Sequence, residues 1–370
     1  MRAGAENPLG ALVGASRRRW FAVTSVDQSR RVHLVGTIPA TSTREALSLV
    51  SHTLGDTITD WLPDGETGAR RDWIGRLVED LRNHPDLELS RDGDWSDYES
   101  TPAFKVKAGH NFESVDLDYF KYFEESWPEF ERARAELGRT DLAFQIGIPG
   151  PIDVAFAAFG FNPIRGFRRS GPFEDATVNE IERIHAVAGN EVVYQLEIPI
   201  EVEVTTRIPA FARGAGVKWL ARRILRVVER SPESTRWGFH LCVGDMNNKA
   251  FSKLRDAGPV VQLANALVSQ FPAARKLEFV HLPLAHGAIP PTTDDAFYQP
   301  LDNLKLPDGV RFIAGFVHER QNIEDQVKVQ GIIESHIGQQ VDVAASCGLG
   351  RRDIEAATSI LNQSRELAVR

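Results

Sequence analysis

From Val32 onward, short apolar runs alternate along the chain with segments whose apolar residues recur at helical spacing. The apolar runs span 32–36, 58–62, 142–148, 192–198, 237–242, 277–282, 311–317 and 341–346. Between them lie amphipathic stretches at 43–54, 180–188, 217–229, 262–271, 323–337 and 352–367. Eight strands, each followed by a helix or a long loop, predict a mixed α/β chain built as a single (β/α)8 TIM barrel. An open doubly wound sheet gives a similar alternation.

The spacing is uneven. A long insertion, about 75–140, follows the second strand and is acidic and aromatic, with Trp95, Tyr98, Phe112, Tyr119, Tyr122 and Trp127 among its residues. After a barrel strand, such a segment sits on the catalytic rim as a lid or substrate wall. It reads equally well as a subdomain packing its own aromatics. Residues 1–31, rich in Gly, Ala, Ser and Arg, read as a flexible extension. The apolar core there is too short for a secretory signal, and Glu6 and Asp27 argue against a transit peptide. One catalytic domain is expected over 32–370.

Composition narrows the class. The 370 residues are 42% hydrophobic and 25% charged, ordinary for a globular chain. With 43 Lys+Arg against 51 Asp+Glu the net charge is −8, so no basic field favours nucleic acid or an anionic membrane. No apolar run approaches the ~20 residues of a membrane span. Two cysteines exclude a disulfide framework and point to a reducing compartment, hence the cytoplasm.

Both cysteines fall at the C-terminal ends of predicted strands, where barrel enzymes do their chemistry. His240 and Cys242 are two residues apart, so in a strand they face the same way. Imidazole and thiolate are preferred zinc ligands. Cys347 ends the eighth strand and His281 the sixth, so His240, Cys242, His281 and Cys347 compose a candidate N2S2 zinc site. The same residues also read as two buried free cysteines and two hydrogen-bonded core histidines.

Several other groups carry candidate chemistry. Gly348-Leu349-Gly350-Arg351-Arg352 follows a strand and opens a helix, so Arg351 could hold a carboxylate or phosphate. Asp353 stands where a dinucleotide fingerprint needs its third glycine, which excludes that motif. Asp245 reads as an acceptor orienting a ligand histidine or as a helix cap. His286 reads as a proton carrier or an exposed loop residue. Gly214–Gly216 and the arginines 165, 168 and 169 read as loops.

The chain as a whole resembles the C-terminal catalytic domain of cobalamin-independent methionine synthase, within the uroporphyrinogen decarboxylase/methionine synthase-like barrels. The resemblance covers roughly 32–367. It rests on His33-Leu34-Val35-Gly36-Thr37-Ile38-Pro39, Asp64-Gly65-Glu66-Thr67-Gly68-Ala69-Arg70, Tyr194-Gln195-Leu196-Glu197-Ile198-Pro199, His240-x-Cys242 and Cys347-Gly348-Leu349. It implies that Glu66 and Glu197 hold a substrate ammonium group, with Glu197 replacing the family's aspartate. Gly36, Thr37, Arg70 and Arg351 would line the substrate site, and His318, after the seventh strand, would move a proton.

The implied activity is zinc-dependent transfer of a methyl or other alkyl group to or from a small thiol. His281 stands where the family carries a glutamate ligand. A centre with two imidazoles is neutral rather than −1, holds a substrate thiolate more tightly and makes its sulfur a poorer nucleophile, which argues against homocysteine. The second barrel-sized half of the folate-dependent enzymes is missing, which points to a methylcorrinoid or a methylated small molecule as donor. The competing expectations are a metal-free decarboxylase or lyase using Arg70 and Arg351, and a zinc Lewis acid that demethylates or hydrolyses.

Overall fold

A computed structural model describes residues 29–251 and 253–370. Most of the expected extension over 1–31 lies outside the described residues. Of its last residues, Arg30 pairs with Glu334 at 2.7 Å, and the Arg31 backbone N–H donates to Asp342 at 2.8 Å.

Among the described residues, nine strands occur: β1 (Trp61–Pro63), β2 (Leu87–Arg91), β3 (Ala103–Val106), β4 (Ala143–Pro149), β5 (Val192–Glu197), β6 (Arg236–His240), β7 (Lys276–Pro283), β8 (Arg311–Val317) and β9 (Asp342–Ala345). Seven of them form one curled parallel sheet in the order β1-β4-β5-β6-β7-β8-β9, while β2 and β3 form a separate antiparallel ribbon. Parallel neighbours need crossovers, and helices such as Pro163–Ala188, Ala210–Arg230 and Gly258–Gln270 supply them. Because helices cover one face and the interior fills the other, β4 and β5 are buried at every position.

The first expected strand, 32–36, is reduced to a single bridging residue. Val32 bridges both Ile58, just before β1, and Val343 in β9, all parallel. Its N–H donates to Thr57 at 2.7 Å, and the N–H of His33 donates to Val343 at 2.9 Å. The segment thus lies between the two edges of the sheet. Gly36 and Pro39 interrupt it before a longer ladder can form.

Two expected loops are helical. Arg165, Arg168 and Arg169 lie exposed in the first turns of Pro163–Ala188, and Gly214 and Gly216 lie inside Ala210–Arg230. Gly166 and Gly216 misled because they serve close packing. A Cβ on Gly166 would strike the Phe156 ring, and one on Gly216 would sit 2.7 Å from Ile208.

The insertion packs aromatics of its own and also reaches the rim. Leu77, Leu81, Leu87, Phe104 and Phe112 form their own cluster against Phe159 and Phe173. Its tip also reaches the sheet's C-terminal rim. The N–H of Met246 donates to the Tyr98 hydroxyl at 3.0 Å, Tyr98 donates to the Lys249 carbonyl at 3.2 Å, and Asn247 donates to the Trp95 carbonyl.

Candidate metal centre

The ladder sets the level of the site. Glu197 is paired with His240, and His240 with His281, so three candidate side chains stand side by side across β5, β6 and β7. Two residues beyond His240 the strand has ended, and Cys242 projects above it from the start of the loop. Cys347 arrives from the loop after β9. The two sulfurs are 3.5 Å apart, and Cys347 Sγ is 3.7 Å from His240 Nε2. The ligand atoms of His240, Cys242 and Cys347 all lie within 4.8 Å of one another, close enough to share a metal ion.

His281 does not join that group. Its Nδ1 lies 2.8 Å from His240 Nδ1 and its Nε2 3.0 Å from the Ala345 carbonyl, so both ring nitrogens are engaged. Strand alternation explains this. His281 is level with His240 and therefore a step below the cysteines, so it reaches the back of the His240 ring. A third buried ring, His33, accepts from Trp61 Nε1 at 2.9 Å and lies 3.1 Å from Gln195 Oε1. Burial holds all three imidazoles below the usual histidine range, with His281 pushed down to about 4. The proximity of Cys242, followed by burial, pushes the Cys347 thiol well up.

A cavity of about 30 Å³ opens over this layer and is lined by Gly36, Thr37, Glu66, Glu197, Cys347 and Arg351, together with Arg71, Trp73 and Asp245. Six residues expected at the site thus share one space. Glu66 is delivered by a sharp turn in which its own φ is 42° and its N–H donates to Asp64 at 2.8 Å. The carboxylates of Glu66 and Glu197 meet above Gly147, where a Cβ would lie 2.7 and 2.8 Å from their oxygens. Burial pushes Glu197 up to about 8, and burial with the neighbouring Glu197 drives Glu66 well above the carboxylate range. A second cavity shares Glu66 and Trp73 and continues along Arg70, Arg76, Tyr119 and Tyr122.

The remaining expectations are met differently. Arg70 is held by Asp64 at 2.6 Å and lies over the Tyr122 ring, so it buttresses the Glu66 turn. Arg351 pairs with Asp72 at 2.7 Å, and Arg71 donates to the Gly350 carbonyl, tying the loops after β1 and β9 together across the mouth. Asp245 is raised by burial and held down by Arg351 and the Cys347 thiol, which places it beside a cysteine rather than behind a histidine. His318 lines neither cavity. Its Nε2 lies 2.9 Å from the Gly287 carbonyl, and its Nδ1 accepts from the Arg320 N–H at 3.1 Å. His286 accepts from the N–H of Leu254 at 3.2 Å.

Sequence reading named Tyr98 only among the aromatics of the insertion, with no role at the cysteines; burial raises it, and its charge environment includes Asp245, Cys242 and Cys347. Sequence reading missed Asp72 and the buried pair Asp153 and Glu201. Tyr98 and Asp72 are placed by contacts with residues far away in sequence. The only local signal for Asp153 and Glu201 is a carboxylate inside the first turn of a Pro-started helix after a strand.

No family model matches the chain, and no curated protein matches it. Among solved structures, it is similar to a B12-independent methionine synthase from Shewanella sp. W3-18-1 in complex with selenomethionine. The TM-score is 0.57 and the identity 12%, covering 92% of this chain and 96% of that one. It is also similar to a methyltransferase from Methanosarcina mazei, with a TM-score of 0.52 and 12% identity, covering 92% and 94%. At this identity the likeness is one of fold. The class is therefore a mixed α/β chain with a curled parallel sheet whose chemistry-bearing side chains gather at the strand C-terminal ends. Among the described residues, no helix is long and apolar enough to cross a membrane.

Proposed function

We propose that the protein is a zinc-dependent methyltransferase acting on a small thiol. The observation that carries this reading is the convergence of His240, Cys242 and Cys347 within 4.8 Å at the rim of the sheet. Two thiols and an imidazole make a zinc donor set, and three protein donors rather than four is the count of sites that keep a position for substrate. Zinc held by His240, Cys242 and Cys347 would lower the pKa of a substrate thiol, so that its thiolate would exist near neutral pH. With His281 behind His240 rather than in the donor set, two protein thiolates and one imidazole would still make a neutral centre with zinc, so the poorer nucleophilicity expected of a homocysteine thiolate there is unchanged.

The chain's own residues do the positioning. Glu66 and Glu197, crowded over Gly147, hold a substrate ammonium group, which relieves their mutual repulsion. Thr37, Arg351 and the Arg71–Gly350 tie form the wall beside Cys347. Tyr98 covers the loop that carries Cys242 and keeps water from the sulfur. The fold of both structural neighbours, one a methionine synthase and one a methyltransferase, supports methyl transfer. A methylcorrinoid or a methylated small molecule serves as donor. The metal-free decarboxylase reading gains no support, because Arg70 and Arg351 are already paired with Asp64 and Asp72.

Zinc content of the reduced, zinc-supplied protein tests the reading first. About one zinc per chain is expected, falling to near none in Cys242→Ser and Cys347→Ser. No zinc in the wild type overturns it. With methylcobalamin as donor and a panel of thiols as acceptors, Glu197→Gln is expected to raise KM roughly 10–100-fold for amine-bearing thiols and to spare thiols without an amine. An equal loss for both kinds removes the ammonium role.

A further inference from the structure

We propose that His281 is a positioning residue that sets the tautomer of His240 and aims its Nε2 lone pair at the two cysteines. The step rests on the zinc reading above only for its consequence; the hydrogen bonds themselves are independent of it. A backbone carbonyl can only accept, so the 3.0 Å contact with Ala345 fixes the proton of His281 on Nε2. In a neutral imidazole the other nitrogen is then an acceptor. The 2.8 Å contact between the two Nδ1 atoms therefore requires His240 to donate from Nδ1. That leaves Nε2 of His240 as the bare nitrogen, and it is the one 3.7 Å from Cys347 Sγ.

The surroundings lock this arrangement. Both rings are fully buried, and their centroids are 4.7 Å apart at 53°. β7 and β8 hold the relay closed, because a Cβ on Gly315 would sit 2.5 Å from His281 Nε2. Neither ring can flip without orphaning a buried N–H or carbonyl. A histidine that binds a metal through one nitrogen commonly donates from the other to a carboxylate or carbonyl. Here the acceptor is a second, neutral imidazole anchored on the backbone. It adds no charge to the site.

Long-range nitrogen–proton NMR spectra of the reduced, metal-free protein, with His240 assigned through His240→Gln, read the tautomer directly. His240 is expected to be protonated on Nδ1 with a bare Nε2; protonation on Nε2 overturns the proposal. Zinc affinity, measured by competition with a chromophoric chelator, is expected to fall roughly 10–100-fold in His281→Leu. His281→Gln can accept from His240 and donate to Ala345, so it should restore both the tautomer and the affinity. Unchanged affinity and tautomer in His281→Leu overturn the role. X-ray absorption showing two imidazoles on zinc in the wild type and one in His281→Gln makes His281 a ligand and overturns it too. If His281→Leu does not fold, the wild-type spectrum and His281→Gln still decide. A wild type that takes no zinc defeats the proposed function, while the metal-free spectrum separately tests the relay.

Discussion

Two polar clusters lie buried at the same end of the sheet, and they meet the cost of burial in opposite ways. In the histidine layer, His33, His240 and His281 give up their extra protons, and each ring finds partners for both nitrogens. In the carboxyl cluster, Asp153 and Glu201 face each other near Gly150, and Asp153 Oδ2 and both Glu201 oxygens have no donor. Only Asp153 Oδ1 is satisfied, by the N–H of Ile200 at 2.7 Å. Burial pushes Glu201 up to about 7, and burial with the neighbouring Glu201 pushes Asp153 well up. Burial and mutual repulsion thus favour the pair holding one proton in common. A neutral imidazole carries one donor and one acceptor and can be chained, whereas a carboxylate only accepts, so two of them need a shared hydrogen.

The two clusters should therefore tilt the metal-free protein's stability in opposite directions with pH. The folded-state pKa of the histidines lies below their unfolded value of about 6.5. Their contribution is complete above that value and is lost as pH falls toward about 4. Glu201 has a raised folded-state pKa. Its contribution is complete below the unfolded value of about 4.3 and is lost as pH rises through about 7.

The largest expected effect is in His281→Leu, which orphans the Nδ1–H of His240 and the carbonyl of Ala345. Each orphan costs about 1–3 kcal/mol. Urea unfolding of the metal-free variant at pH 7.5 should show that loss and a shallower acid limb; an unchanged midpoint breaks the comparison on the histidine side. Next comes Glu201→Gln, whose amide can donate to Asp153. Thermal unfolding should match wild type near pH 4.5 and gain stability by pH 8.5, roughly 3 kcal/mol at the upper end. A gain that is the same at both pH values means the pair is not holding a proton. Smaller again are the two packing glycines. Gly315→Ala and Gly150→Ala should each cost about 1–3 kcal/mol by overpacking. Only the first should disturb the His240 NMR signals, and only the second should change the alkaline limb.

Much of this was legible along the chain. The runs expected at 142–148, 192–198 and 311–317 became Ala143–Pro149, Val192–Glu197 and Arg311–Val317. Strands buried on both sides are written as continuous apolar stretches, so they are easy to read. Alternation put His240 and Cys242 on one face, and the position of Cys347 after the last strand brought it to them. That Glu66 and Glu197 share one space was implied only by the family resemblance. The run at 32–36 was overread as a strand, because Val32 alone completes bridges to both edges of the sheet.

What the sequence determined by itself is most strands of the parallel sheet and which residue types stand at their C-terminal ends, because those follow from local periodicity. The tertiary structure alone decided which of those residues touch. A register that sets His281 level with His240 turned a candidate ligand into its neighbour's hydrogen-bond partner. An ion pair within the loop after β1 drew Arg70 to Asp64, and one across the mouth drew Arg351 to Asp72. The tip of the insertion brought Tyr98 to the loop after β6. Apart from the Arg70–Asp64 pair, which closes within one loop, these contacts join positions tens to hundreds of residues apart, set by packing that no local pattern encodes.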